Sequence, residues 1–335
     1  MPDPRVIEDM QRFRELLARR DEAAMRRLLT RWVEIERRLQ NDMELLAREI
    51  ADLRLAGRAV PVWKIVQMQR WIDLREQVLT EIGRYNQFAA EVVAEQQRTA
   101  AALGARHAAT LAQRELGLRG ALDVLPTAQF ERMVGLTADG STLLQHFMRK
   151  APLGAQGMMD ALVRGLALGW HPRKIAEEMQ RGLDVTPLSA IRTARTEPLR
   201  VYRESTLATY RAAGVPGYRR VAAKSDRTCA ACLLLDGHWF PAETAFEEHV
   251  QGRCTAIPER DPDGEPGWTT GREWFEELPE DRQRLILGKG HYEAWQRGDI
   301  TLDDIPKLHV DPVWGNSWQV RSLQELLPKE EIIYP

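Results

Sequence analysis

Cysteine is scarce in this chain: three residues in 335, and none before position 229. An odd count this small, in a sequence whose first residues (MPDPRVIEDMQRF) show no apolar h-region and so predict no secretory signal, excludes a disulfide framework. Net charge is equally scarce. With 47 Lys+Arg against 49 Asp+Glu the chain carries −2, which excludes a protein that coats nucleic acid by charge alone. No apolar run approaches the ~20 residues that span a bilayer, so no membrane partner is expected. Several catalytic signatures are missing as well: HExxH, GxGxxG, the Walker A loop and GxSxG. A zinc deaminase needs an H-x-E upstream of its CxxC and a Pro before the first Cys. Here no upstream H-x-E exists, and Thr228 stands in the Pro position. The acidic pairs, Glu177-Glu178, Glu247-Glu248, Glu276-Glu277 and Asp303-Asp304, read as solvated helix faces or turns, so no catalytic dyad is expected.

What is present is mostly helical pattern. With 44% hydrophobic and 29% charged residues the chain falls in the globular range, and its length suggests two or three units. Over 4–116, apolar residues recur in helical steps at Met25, Leu28, Trp32, Ile35, Leu39, Leu46 and Leu53, then at Ile65, Met68, Ile72, Leu79, Ile82, Ala89 and Val93. The break AGRAVP separates the two runs, with Gly57 suited to closing one helix and Pro61 to opening the next. Two helices of this length predict an antiparallel hairpin with coiled-coil character, a rod of roughly 75 Å at 1.5 Å per residue. Such a hairpin buries no compact core of its own. It is expected to pack on a partner, on a second copy or on the rest of the chain.

Residues 117–185 read as shorter helices punctuated by Gly117, Gly120, Pro126, Gly140, Pro152, Gly169 and Pro172. A helix from Pro172 through Gln180 is expected to stop at Gly182. The next starts with Thr186 as N-cap and has Pro198 as a break point. GYRRVAAK (217–224) predicts a strand, 259–267 a charged linker, and the tail GREWFEELPEDRQRLILG, GHYEAWQRGD and TLDDIPKL short helices; five of the ten Trp lie in the last 68 residues. The fold class expected is mostly α with a small α+β zinc-stabilised module and a long N-terminal antiparallel helical hairpin. Three segments follow: 1–116, 117–258 and 259–335.

All three cysteines fall in one constellation, Cys229-x2-Cys232-x16-His249-x4-Cys254. A two-residue spacer lets both thiolates of a turn face one ion. The returning His and Cys complete a tetrahedral Cys3His set, the ligand chemistry of a closed structural zinc site. The bland alternative is three reduced, buried small side chains beside an unrelated His. A thioredoxin-type redox CxxC would leave Cys254 and His249 unexplained, and His238, in the Leu235-Asp236-Gly237 turn, reads as a loop residue. The stretch 185–224 carries eight Lys/Arg against Glu197 and Glu204. On a helix over 187–213, Arg192, Arg195, Arg200, Arg203 and Arg211 would present a broad basic face to DNA phosphates or an acidic protein surface. Against that stands internal pairing with 258–310, where 13 Asp/Glu face 7 Lys/Arg.

Taken together, residues 155–258 resemble the phage Mu F-like head morphogenesis (minor capsid) family. The ordered features are Arg195-Thr196-Glu197, the turn Ala213-Gly214-Val215, a strand, Asp226-x-x-Cys229-x-x-Cys232, Leu235-Asp236-Gly237, and finally His249, Arg253-Cys254 and Pro258. Gly271 to Phe275 and Gln283 with Ile286-Leu287-Gly288 are similar to tail extensions of that family. The family often closes with His-Pro-x-Cys-Arg-Cys. Val250 and Gly252 depart from this, which leaves Cys254 as the fourth ligand. The resemblance implies a non-enzymatic virion component, located in the phage head and in the host cytoplasm during assembly. Its implied partners are portal protein, capsid or scaffold proteins, packaged DNA and further copies of itself. The rival readings are a zinc-dependent nucleic-acid hydrolase and a DNA-binding adaptor using the basic helix.

Overall fold

The computed structural model describes residues 4–118, 131–225 and 227–327. Gly120, Pro126 and Asp226, invoked above, lie outside the described residues. In chain order the elements are α1 (Pro4–Leu55), α2 (Val62–Ile65), α3 (Gln69–Leu116), α4 (Leu143–Met148), α5 (Ala151–Ala167), α6 (Pro172–Gly182), α7 (Val185–Ala212), β1 (Gly217–Val221), α8 (Ala230–Leu234), β2 (Trp239–Pro241), β3 (Thr255–Glu259), α9 (Gly271–Glu276), α10 (Glu280–Leu287), α11 (Lys289–Arg297), β4 (Pro306–His309), β5 (Ser317–Val320) and α12 (Leu323–Leu326). The protein is thus mostly helical with a small sheet region. Among the described residues no helix is long and apolar enough to cross a membrane.

The chain forms two compact units made of separated stretches, so their bounds differ from the three consecutive segments 1–116, 117–258 and 259–335. One unit comprises Met1–Leu17, Gln97–Val134 and Thr196–Pro335; the other comprises Ala18–Gln96 and Gly135–Arg195. The reason is length. α1, α3 and α7 are each long enough to supply apolar residues to two cores.

The second of these units is all-helical. Its core takes Leu28, Trp32, Ile35, Leu39, Met43 and Leu46 from α1, Met158 and Leu162 from α5, Ile175 and Met179 from α6, and Ala190 and Ala194 from α7. α3 enters with Trp71, Leu74, Val78, Ile82, Tyr85 and Ala89. The buried face of α3 therefore starts one residue away from the predicted run: Trp71 is buried and Ile72 is 43% exposed. The larger indole takes the core position, and its neighbour is turned outward by the helical rotation. Trp32 meets Tyr85 edge-on, with ring centroids 4.9 Å apart. Ion pairs Arg27–Glu95 (2.8 Å), Arg38–Glu81 (3.1 Å) and Arg70–Glu49 (2.8 Å) tie α1 to α3. α6 begins as expected, with the His171 side chain capping Arg173 N. Gly157 on α5 and Gly182 at the end of α6 lie so close that a Cβ on either would collide with backbone of the other.

α7 runs unbroken through Pro198, where a break was expected. Proline removes one N–H from the ladder and costs stability, but residues on both sides of it, among them Ala190, Ala194, Val201 and Tyr202, are buried.

The first unit is built around a three-stranded antiparallel sheet, order β2-β1-β3, with Tyr218 opposite both Phe240 and Pro258. Ala108, Ala109 and Ala112 of α3 and Leu207 and Tyr210 of α7 cover it, packed on Tyr218 and Ala256. A second layer gathers Ala230, Leu234, Phe275, Leu287, Tyr292, Ile300 and Ile305. The predicted linker 259–267 starts inside β3 and is pinned by Arg219, whose guanidinium donates to the carbonyls of Gly237 (2.9 Å) and Asp261 (3.0 Å). TLDDIPKL is not a helix. Leu302–Asp304 make one tight turn, after which β4 pairs antiparallel with β5. Asp304 caps Thr301, so the helical signal is spent on that turn, and Pro306 starts the strand.

Two predictions follow from this packing. Gly157→Ala and Gly182→Ala should each destabilise the protein by about 1–3 kcal/mol, the range for forced overpacking, read as a lowered denaturant midpoint. His107, 3.0 Å from the Tyr202 hydroxyl, is pushed down to about 3 by burial and then by Arg106; His146 is pushed down to about 4 by burial and then by Lys150 and Arg149. The unfolded imidazoles take up protons near 6.5 while the folded ones stay neutral. The stability contributed by these two histidines is therefore complete above pH 6.5 and is lost as pH falls toward 4. In thermal unfolding scanned from pH 7 to 4.5, His107→Gln should lose less stability on acidification than wild type does.

Candidate metal centre

The centre belongs to the sheet-containing unit and draws on four pieces of chain. The strand β1 delivers Arg220. After a short turn, Cys229 becomes the N-cap of α8, and its sulfur accepts the Cys232 N–H at 3.4 Å. Capping fixes the spacing physically: the first turn of a helix places residue N3 back against the cap, so both sulfurs lie on one side. The irregular segment 242–254 then brings in His249 and Cys254. It turns at Gln251, which adopts a positive φ of 63°, and is tied by Gly252 N to His249 O (2.9 Å) and by Gln251 N to Thr196 Oγ1 (3.2 Å). α7 contributes Arg203, whose guanidinium donates to the Gly252 carbonyl at 3.1 Å.

His249 Nε2 stands 3.4 Å from Cys229 Sγ and 3.3 Å from Cys232 Sγ. A tetrahedral ion with bonds of about 2.3 Å to sulfur and about 2.0 Å to nitrogen holds such donors roughly 3.5 Å apart. The other ring nitrogen, Nδ1, is 3.0 Å from the Val250 carbonyl. The contact turns Nδ1 away from the sulfurs and leaves Nε2 facing them, which is how a ligating imidazole is oriented; Nε2 also lies 3.3 Å from Glu248 Oε1. Cys229, Cys232 and His249 lie within 4.8 Å of one another, and so do Cys232, Glu248 and Cys254. Cys232 is the shared member. The three cysteines and His249 line a cavity of about 50 Å³ with Gln251, Gly252 and Arg253. The donor set and its geometry fit a soft or borderline metal ion.

Glu248 was read from the sequence as half of a solvated acidic pair; it is instead buried. Its Oε2 accepts from Arg220 at 2.8 Å, while Oε1 accepts from His249 N (3.2 Å) and from the Cys232 thiol (3.3 Å). Burial alone would raise its pKa, but the charges of Arg220 and Arg203 overcome this and hold it down to about 2. The Cys229 thiol is pushed down by the hydrogen bond from Cys232, whereas Cys232 and Cys254 are pushed up, by the thiol hydrogen bonds to Cys229 and Cys232 and by burial. A Cβ at Gly252 would collide with the Glu248 carboxylate, so this position admits no larger side chain without a shift of Glu248. His238 is in neither donor group.

The five arginines do not form one exposed face. Arg203 is only 5% exposed, and Arg200 is held by Glu197 and Glu204, both at 2.7 Å. Arg211 donates to the Ala242 carbonyl at 3.1 Å. Arg192 and Arg195 belong to the all-helical unit, where the charge of Arg195 acts on half-buried Asp21. Sequence reasoning missed Glu248 and Arg220; the one available signal was an acidic residue adjoining the candidate His. Comparisons with family models, with curated proteins and with solved structures find no match.

Because Cys232 belongs to both donor groups, Cys232→Ser should lower retained metal more than Cys254→Ser does. Metal analysis of the three purified proteins checks this order.

Proposed function

We propose that the protein is a non-enzymatic phage head morphogenesis (minor capsid) component whose Cys229, Cys232, His249 and Cys254 hold one structural zinc ion. The observation that carries the reading is the convergence of the CxxC, the His and the last Cys on one small cavity. It joins residues that the family resemblance groups by order alone. Two soft thiols, a third behind them and an imidazole nitrogen facing the first two select zinc among common divalent ions. All four positions are filled by protein, so the ion supplies rigidity rather than an open coordination site for substrate. It would pin an irregular segment that has little apolar core of its own.

In this reading α1 and α3 act as the arm that reaches portal, capsid or scaffold, in the phage head and in the host cytoplasm during assembly. The burial of Arg203 and the pairing of Arg200 favour protein contacts over DNA for α7, and the full protein coordination favours assembly over hydrolysis.

Protein purified without added metal should carry one zinc per chain. Chelation should lower the melting temperature; an ion present at a thousand times its dissociation constant contributes about 4 kcal/mol. Co-expression with a tailed-phage portal protein should give a co-purifying complex. A zinc-free protein of unchanged stability would refute the metal half of this reading, and a chain that ignores portal, capsid and scaffold proteins would refute the assembly half.

A further inference from the structure

The metal reading leaves one feature of the centre unused: it is crowded with buried positive charge. Arg220 and Glu248 form an ion pair whose side chains are 2% and 1% exposed. Arg203 is buried beside them and feels both Glu248 and Cys254. Both cations lie near the Phe246 ring, with guanidinium carbons 4.5 Å (Arg220) and 5.6 Å (Arg203) from its centre. Two buried cations thus share one buried carboxylate. The Nε–H of Arg203 and that of Arg220 have no hydrogen-bond partner among the described residues. Arg227 and Arg253 at the cavity mouth are exposed and screened by solvent. A surplus cation in a buried site is costly unless something negative arrives.

We infer that Arg220 and Arg203 are positioning and specificity-determining residues, the counter-charges that let three thiolates gather on a divalent ion in this buried centre. The inference rests on the metal reading above. Three thiolates with a divalent ion carry one negative charge, and Arg203, Arg220 and Glu248 together carry one positive charge, so the loaded centre is neutral. A monovalent ion would leave it one charge negative, and a trivalent ion one charge positive. Arg220 is also placed to touch a ligand, with its guanidinium 4.0 Å from Cys232 Sγ. Arg203 holds the carbonyl of Gly252, two residues before Cys254. Glu248 counts as a neighbour rather than a ligand, because Arg220 and the His249 N–H occupy its oxygens.

The test uses the full chain, with zinc affinity measured by competition against a chromophoric chelator and cobalt(II) used for its sulfur-to-metal charge-transfer band. Arg220→Met should weaken zinc binding by about 10–100-fold, the range for second-sphere partners, and should dim the cobalt band. Arg220→Lys keeps the charge and should recover most of the affinity. The double variant Arg220→Met/Glu248→Gln removes one charge of each sign and should bind more tightly than Arg220→Met alone, which a purely structural role does not predict. Where Arg220→Met fails to fold, Arg203→Met carries the same expectation. The inference is overturned if the Met variants bind as wild type does, if Lys is as weak as Met, or if the double variant is weaker than the single. A wild-type chain that takes up neither zinc nor cobalt overturns the metal reading itself, a result distinct from these.

Discussion

The buried pair of Arg220 and Glu248 is the constraint around which the sheet-containing unit is organised. Taking two charges out of water costs several kcal/mol, and the attraction between them repays this only when the remaining hydrogen-bonding groups are also satisfied. Here the satisfaction is spread over distant parts of the chain. Arg220 sits in the central strand and also donates to the Glu247 carbonyl at 3.0 Å. Glu248 accepts from the backbone of His249 and from the thiol of Cys232. One ion pair therefore joins the sheet, the irregular segment and the start of α8. Each of these is too short to be stable alone.

α7 supplies the second anchor. By running through Pro198 as one helix it carries Thr196, Arg203 and Tyr210 along a continuous side, where they meet Gln251, Gly252 and Ala256. A break at the proline would separate the first of these contacts from the others. The backbone hydrogen bond lost at Pro198 is thus offset by side-chain bonds to the segment that holds His249 and Cys254. The same geometry removes Arg203 from any exposed surface. A basic helix in the sequence becomes a helix whose charges are mostly consumed internally, by Glu197, Glu204, Gly252 O and Ala242 O.

Legibility followed element length. Runs of helical spacing such as Leu28-Trp32-Ile35-Leu39 identify a buried face over many turns, and the burial of these residues follows that spacing. Ile72 was misplaced because Trp71 beside it also fits the pattern, and local spacing cannot rank two adjacent apolar residues. The strands β2, β4 and β5 are three or four residues long, too short to show an alternating period, and β3 includes a proline. The cysteines and His249 could be grouped because their chemistry is rare. Glu248 could not, because carboxylates are common and only burial distinguishes this one.

By itself the sequence determined the helical class of the chain, the long helices α1 and α3, the strand β1, and the four residues whose chemistry suits an ion. These rest on local periodicity and on rare side chains, which need no knowledge of distant neighbours. Only the tertiary structure decided which face of α3 is buried, how the long helices divide between two cores, and that Arg203, Arg220 and Glu248 share one interior. Burial of a charge depends on what packs over it. In this unit the covering residues come from α7, β1, α8 and the 242–254 segment, elements whose proximity no local pattern encodes.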